Sequence, residues 1–398
     1  MLIKEFLRRY NLNPESIVLC LFAAFSFFSI AGTQIALGLA FLIYLARHFR
    51  AKSFSGQKCG LELLLAGLFI WALLSSAFSV RPAESFIHLK HLLLIATIYL
   101  LADQTRSKQS IRIFVGVWLA SAAIISLVGL LRYLAQDTLK VMATQSTTMT
   151  WAAMLVPATT VSFVLLFALP ASSKIKSLLT IAAVLQLIAL FYSFVRGAYL
   201  GFFAGVGFVL LLRKPKLIFA LIAAAALAIW LAPESLQTRF LSIFDLNSAT
   251  TQVRLIQWRH AFEMIQSHPI FGFGWVDLGA LHRDMIPADP AMPTIIARDV
   301  FYIGHFHSNI IMWMMIWGLP GLVLMLTFFA RLAQLEWQTF RDQPSPSFEA
   351  ALALGCLGSL AGYFVTGLFD WTFGDAETVT ILWMTVGLAL RKSANGTH

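Results

Sequence analysis

The polar positions of this chain gather in short connections between long apolar blocks. Twelve such blocks run near 14–30, 32–47, 61–78, 84–102, 111–134, 149–169, 175–194, 198–212, 216–232, 307–332, 348–368 and 377–390. Each is long enough, or nearly so, to cross about 30 Å of hydrocarbon as a helix. The second and eighth are the shortest. Residues 14–47 also read as one long helix, but Ala31-Gly32-Thr33-Gln34 has the composition of a turn between two. The pattern predicts an all-α integral membrane protein of about twelve transmembrane helices. A large polar loop separates helices 9 and 10, which divides the chain into residues 1–232, 233–306 and 307–398.

Composition agrees with the pattern. Of 398 residues, 59% are hydrophobic and 12% charged, and the mean hydropathy is +0.78. Soluble domains carry about 25% charge. The formal net charge of +10 raises the question of nucleic acid, and the placement of the basic residues answers it. Lys4, Arg8, Arg9, Arg47, Arg50, Lys52, Lys58, Arg106, Lys108, Arg112, Lys174, Lys176, Arg213, Lys214, Lys216, Arg331, Arg341, Arg391 and Lys392 all lie in alternate connections, close to span ends. These make up nineteen of the 29 lysines and arginines, and five of the other ten lie in the 233–306 loop. The positive-inside rule then puts both termini in the cytoplasm and makes membrane lipid, not nucleic acid, the partner of this charge. The first apolar block reads as a retained helix, since it lacks a small-x-small cleavage site. Cys20 and Cys356 fall in spans and Cys59 in a cytoplasmic connection, so no disulfide framework is expected.

With that topology, the polar residues that need explaining face outward. The loop stretch 250–274 reads as an amphipathic helix lying on the membrane, with Arg254, Trp258, Ala261 and Ile265 on one face. Pro269 ends it, and Gly272 and Gly274 allow a tight turn. Arg196 sits between two apolar spans with almost no loop, where an arginine needs an anionic partner, a lipid headgroup or helix-end carbonyls. Asp370, Asp375 and Glu377 mark the outer mouth of the last two spans, either as partners for those groups or as a solvated turn. His305 and His307 stand at the threshold of the tenth span as caps, metal ligands or a base. On one helix an i, i+2 pair points to different faces, which is poor geometry for a metal, and His260, His268 and His282 are distant in sequence; no metal is expected. Ionisable residues are scarce at mid-span, where Gln186 is the main polar group, and this disfavours a transporter. Arginines, a histidine and carboxylates on one face suit an enzyme acting on an anionic, lipid-linked substrate.

These residues resemble the O-antigen ligase family, within the wider superfamily of bacterial O-antigen ligases and polymerases. Arg196 and Leu200 in RGAYL match its Arg-x3-Leu element. His307 and Gly318 in HSNIIMWMMIWG match its His-x10-Gly element, and Arg254 resembles the family's outer-loop arginine. The resemblance implies a C-type glycosyltransferase-like architecture in the bacterial inner membrane, with a periplasmic active site and no cofactor. It implies transfer of a polysaccharide from undecaprenyl diphosphate to lipid A–core, inverting and without a metal. Arg196 and Arg254 would hold the diphosphate, His307 would act as base and His305 would support it. Asp370 would fix the imidazole tautomer or pair with an arginine. The chain departs from the family at Val195, where a small hydroxyl residue is common, and at Ser308, where asparagine is common and here follows as Asn309. The O-antigen polymerase and the protein O-oligosaccharyltransferase share the architecture and differ in acceptor. The short tail after the last span favours the ligase among them. Outside the class, a polysaccharide transporter is the competing reading.

Overall fold

The structure, a computed structural model, describes residues 14–50, 58–105, 107–135, 140–142, 145, 147–287, 292, 294–301 and 304–391. Lys4, Arg8, Arg9, Lys52, Arg106 and Lys392, on which part of the charge count rests, lie outside them. Among the described residues, the first nine helices are α1 (Pro14–Phe28), α2 (Ile30–Arg50), α3 (Glu62–Ala77), α4 (Pro82–Gln104), α5 (Lys108–Leu134), α6 (Thr148–Ala168), α7 (Ser173–Phe191), α8 (Arg196–Arg213) and α9 (Leu217–Leu231). Four short ones follow: α10 (Glu234–Leu241), α11 (Ala249–Ile265), α12 (Leu278–Met285) and α13 (Thr294–Phe301). The chain closes with α14 (Asn309–Asp342), α15 (Phe348–Gly367) and α16 (Ala376–Ala389).

Each of the twelve apolar blocks coincides with a helix, and no strand forms among the described residues. Among the described residues, eight helices are long and apolar enough to cross a membrane; α1, α3, α9 and α16 are shorter apolar helices. The protein is a multi-pass, all-helical membrane protein. Its perimeter would be untenable in water: Leu63 is 89% exposed, Phe167 78% and Ile35 64%, and α9 buries no residue at all. Apolar surface on this scale belongs in lipid.

Three expectations need correction. The break in the first apolar stretch falls at Ser29, and Ala31–Gln34 are helical. The tenth block begins two residues later than expected and runs on to Asp342, so His307 lies before its helix rather than in it. The 233–306 segment holds four helices, where only one had a readable period.

Close approach of small residues fixes the centre of the bundle. A Cβ added to Gly201 would lie 2.7 Å from the Gly362 carbonyl, and one on Gly205 would lie 2.6 Å from the Gly358 carbonyl. The two small-xxx-small faces let α8 and α15 pack backbone to backbone, as helices do where lipid offers no hydrophobic drive. This clasp sets the start of α8 beside the end of α15, the two places from which Arg196 and Asp370 emerge.

Candidate active site at one end of the bundle

Hydrogen bonds tie five connections together at one end. Val141 N–H donates to the Tyr192 carbonyl (2.9 Å), Val80 N–H to Phe273 (3.3 Å), and Asp277 N–H to Glu84 (2.7 Å). Thr150 donates to Asp375 (2.8 Å) and Asn309 to Thr372 (2.9 Å).

Gly318 organises this end. Its φ of 68° and ψ of −175° break α14 into a short piece and a long one, and a Cβ there would lie 2.0 Å from the Ile270 carbonyl. Only glycine meets both demands. The break frees the carbonyls of Met315, Ile316 and Trp317, and each finds a donor. Phe273 and Gly274 N–H take the first two at 2.8 and 3.0 Å, and Trp71 Nε1 takes the third at 2.8 Å. Leu319 N–H returns a bond to Pro269 (2.9 Å). Gly272 and Gly274 supply the positive φ angles, 69° and 82°, that bend the loop into this position. The loop after α11 is therefore stitched to the break, and the ten residues between His307 and Gly318 form one rigid arm.

At the tip of that arm His307 adopts φ 47°, a left-handed conformation that costs a non-glycine residue roughly 1 kcal/mol or more. The turn directs its ring at Asp370, with Nδ1 3.4 Å from Oδ1. Asn309 holds the opposite side: its amide donates to Thr372, and its carbonyl accepts from Phe373 N–H (3.0 Å). Burial alone would raise the Asp370 carboxyl. The hydrogen bond with His307 and the charges of His307, His305 and Arg254 outweigh burial and hold it below its ordinary value. An ionised Asp370 places the His307 proton on Nδ1 and leaves the Nε2 lone pair free. His305 packs edge-on to His307, ring centres 4.4 Å apart, and accepts from the His307 N–H on its own Nδ1 (3.3 Å). Burial, then the neighbouring His307, pushes His305 down to about 4, so it is neutral at pH 7, as an Nδ1 acceptor must be.

The i, i+2 argument against a shared site fails here, because residues 305–307 precede the helix. His305, His307 and Asp370 each offer a ligand atom, all within 4.8 Å of one another, and are the set that would hold a divalent cation.

The arginines differ in how they are held. Arg196, buried at the first turn of α8, donates to the Ser242 carbonyl, to Ser248 (3.4 Å), and to Thr250 and Thr251 (2.8 and 3.1 Å). Arg254, one turn further along α11, has its Nε buried with no hydrogen-bond partner among the described residues. Burial lowers the Arg254 pKa, and the Asp370 carboxylate opposes that while Arg239 adds to it. The face of α11 expected on the membrane packs instead on protein: Ala261 and Ile265 are buried, and Trp258 donates to the Phe306 carbonyl (2.8 Å).

The structure thus brings together Arg196, Arg254, His305, His307 and Asp370. Asp375 stands beside them, bonded to Thr150, and burial, with help from Asp370 and Glu377, raises it to about 6. His260 and His282 pair with each other at 2.8 Å within the 249–301 helices, and His268 bonds Ser267. Sequence reasoning missed Arg239, whose charge acts on both Arg196 and Arg254, and the bridging role of Asn309. For Asn309 the signal was present, since it follows the histidine within one turn; Arg239 sits in a short helix with no apolar period.

Residues 181–326 match the family model described as O-antigen ligase. The matched stretch contains Arg196, Arg239, Arg254, His305, His307 and Gly318 and ends before Asp370. No curated protein matches the chain.

Proposed function

We propose, from the match of residues 181–326 to the O-antigen ligase family model, that the chain transfers a polysaccharide from undecaprenyl diphosphate to a sugar hydroxyl of lipid A–core. The observation that carries this reading is the adjacency of a histidine oriented by an ionised carboxylate and a buried arginine with an open donor. The first is a base and the second an anion site, and both lie at one end of the apolar bundle, where two lipid-borne substrates can meet. On this reading the site faces the periplasm and both termini the cytoplasm. The twelve apolar helices all cross the inner membrane, and the 233–306 segment covers the site.

The acceptor hydroxyl gives its proton to His307 Nε2 as its oxygen bonds to the anomeric carbon. The bond from that carbon to the diphosphate breaks on the opposite face and leaves its electron pair on the diphosphate. Arg254 stabilises the charge that develops there, with the field of Arg196 and Arg239 behind it. Diphosphate is a good leaving group once its charge is held, so no separate acid is required. One displacement inverts the anomeric centre. Asp370 keeps the Nε2 lone pair aimed at the acceptor, and His305 fixes the backbone turn that presents the ring.

Purified protein in proteoliposomes, given lipid-diphosphate glycan and lipid A–core with and without EDTA, tests the reading. New glycan on lipid A–core in both conditions is the expected result. Glycan growing on the lipid carrier, or appearing on a protein hydroxyl, would make the chain a polymerase or an oligosaccharyltransferase with the same chemistry. Loss of transfer in EDTA would give His305, His307 and Asp370 to a cation and remove the base. Movement of glycan with no new bond would replace the enzyme with a transporter.

A further inference from the structure

Arg196 has all four of its terminal N–H donors engaged. Its two terminal nitrogens are engaged by one carbonyl and three hydroxyls, all between Ser242 and Thr251. That set of bonds ties the start of α8 to the residues that lead into α11, which makes Arg196 a strut that sets where Arg254 stands. A phosphate could take the terminal nitrogens only by displacing those bonds.

Arg239 is placed differently. Its Nε donates to the carbonyl of Phe194 (2.7 Å), a residue whose φ of 58° makes the sharp corner before α8. That single bond orients the guanidinium and leaves its terminal nitrogens uncommitted among the described residues. Arg239 lines a shallow cavity of about 340 Å³ with Lys140, Phe194, Ser235, Thr238 and Ser242. Two cations and three hydroxyls surround the opening, and no carboxylate among the described residues lines it. Two like charges lining one opening make the potential there positive. Burial lowers the pKa of Arg239, and burial together with Arg239 lowers that of Lys140, which is the electrostatic cost that an anion would relieve.

The cavity also continues the site. Ser242, which lines it, gives its carbonyl to Arg196, whose other bonds reach Thr250 and Thr251, one turn before Arg254. Charge interactions run on from Arg239 to Arg254 and from Arg254 to Asp370, the partner of His307. We propose that Arg239 and Lys140 form a second phosphate subsite, which takes the lipid-side phosphate of a diphosphate whose sugar-side phosphate lies on Arg254. This assignment rests on the transferase reading for the identity of the ligand and changes the division of labour within it. Arg196 becomes a positioning residue, and Arg239 becomes the binding residue that the short family motifs do not mark. A planar guanidinium with two free nitrogens suits two phosphate oxygens, and the ammonium of Lys140 adds a point charge.

Inorganic diphosphate and inorganic phosphate serve as probes, with binding to the purified full chain measured by calorimetry. The wild type is expected to prefer diphosphate, because only diphosphate spans both subsites. Arg239→Gln should weaken diphosphate by about tenfold or more, the scale of a lost charge-assisted bond pair, and leave phosphate affinity nearly unchanged. Lys140→Gln should act in the same direction with a smaller effect. Arg239→Lys should recover part of the loss, which separates charge from mere packing, and melting curves identify any variant that is misfolded. Diphosphate binding by Arg239→Gln equal to the wild type, or a wild type with no preference for diphosphate, would overturn the subsite. A wild type that binds as expected but forms no glycosidic bond would overturn the transferase reading and leave the subsite standing. A variant that transfers glycan with an unchanged KM for donor would do the reverse.

Discussion

The corner at Tyr192–Arg196 and the arm at Gly304–Gly318 are both polar intrusions at one end of an apolar bundle, but they are built in opposite ways. At the corner, both terminal nitrogens of the arginine are filled by four acceptors, and a second arginine caps the strained Phe194 carbonyl. In the arm, the backbone is held firmly at its base by Gly318 and the 269–274 loop, while the working end keeps a 3.4 Å contact to Asp370 and an open lone pair. Across from it, Arg254 has a buried Nε with no hydrogen-bond partner among the described residues. A saturated polar group contributes stability and position; an unsatisfied one costs about 1–3 kcal/mol and is retained where a ligand completes it. The difference assigns roles that charge and spacing alone leave equal.

The largest effect in stability should come from Gly318→Ala. The added methyl group meets the Ile270 carbonyl at 2.0 Å and the positive φ disfavours it, so a loss of roughly 3 kcal/mol or more is expected, read as a fall in melting temperature with activity abolished. A variant that melts like the wild type would show that the break does not hold the arm. Next, Asp370→Asn should reduce turnover roughly 100-fold or more, because an amide stabilises the wrong imidazole tautomer, while melting and donor affinity stay the same. Equal turnover would mean that Asp370 does not orient the base.

Two arginine variants sharpen the comparison directly. Arg196→Gln should lower the melting temperature, since four hydrogen bonds at a buried site are lost. Arg254→Gln should leave melting nearly unchanged and raise the KM for donor by about tenfold or more. Exchanged phenotypes would reverse the roles. The smallest effect is one of pH. His282, pushed down to about 4 by burial and then by His260, and His260, also lowered, both have ordinary values of 6.5. The unfolded chain therefore binds more protons as pH falls, and stability present above pH 6.5 is lost on the way down to about 4. Hydrogen exchange in 249–301 should rise over that window and not above it; a flat profile would show that the pair carries no such linkage.

The apolar helices were legible because membrane spans announce themselves by length alone, and eleven of the twelve blocks end within a few residues of their helices. The exception is instructive. Residues 333–342 mix charged and apolar positions, so the hydropathy pattern stops near Arg331, while the backbone continues helically to Asp342 because Leu332, Glu336 and Phe340 share a buried face. The short helices α10, α12 and α13 were not legible, since eight residues carry too few turns for a period to emerge. In the site, Arg196, Arg254 and His307 stood out as polar groups where polarity is expensive. Their partners did not. The four acceptors of Arg196 lie 46 to 55 residues away in sequence, and Asp370 lies 63 residues from His307, distances that only the folded chain closes. The meeting of His305 with His307 was misjudged for a local reason, a left-handed residue in place of a first helical turn.

The central claim is that His307 takes the acceptor proton while binding is carried elsewhere, and single-turnover bond formation from protein preloaded with saturating donor tests it. His307→Ala should slow that step by about 10²- to 10⁴-fold, the usual worth of a general base, with diphosphate affinity and melting temperature as in the wild type. A rate within a few-fold of the wild type under those conditions would contradict the account, whatever the arginines bind.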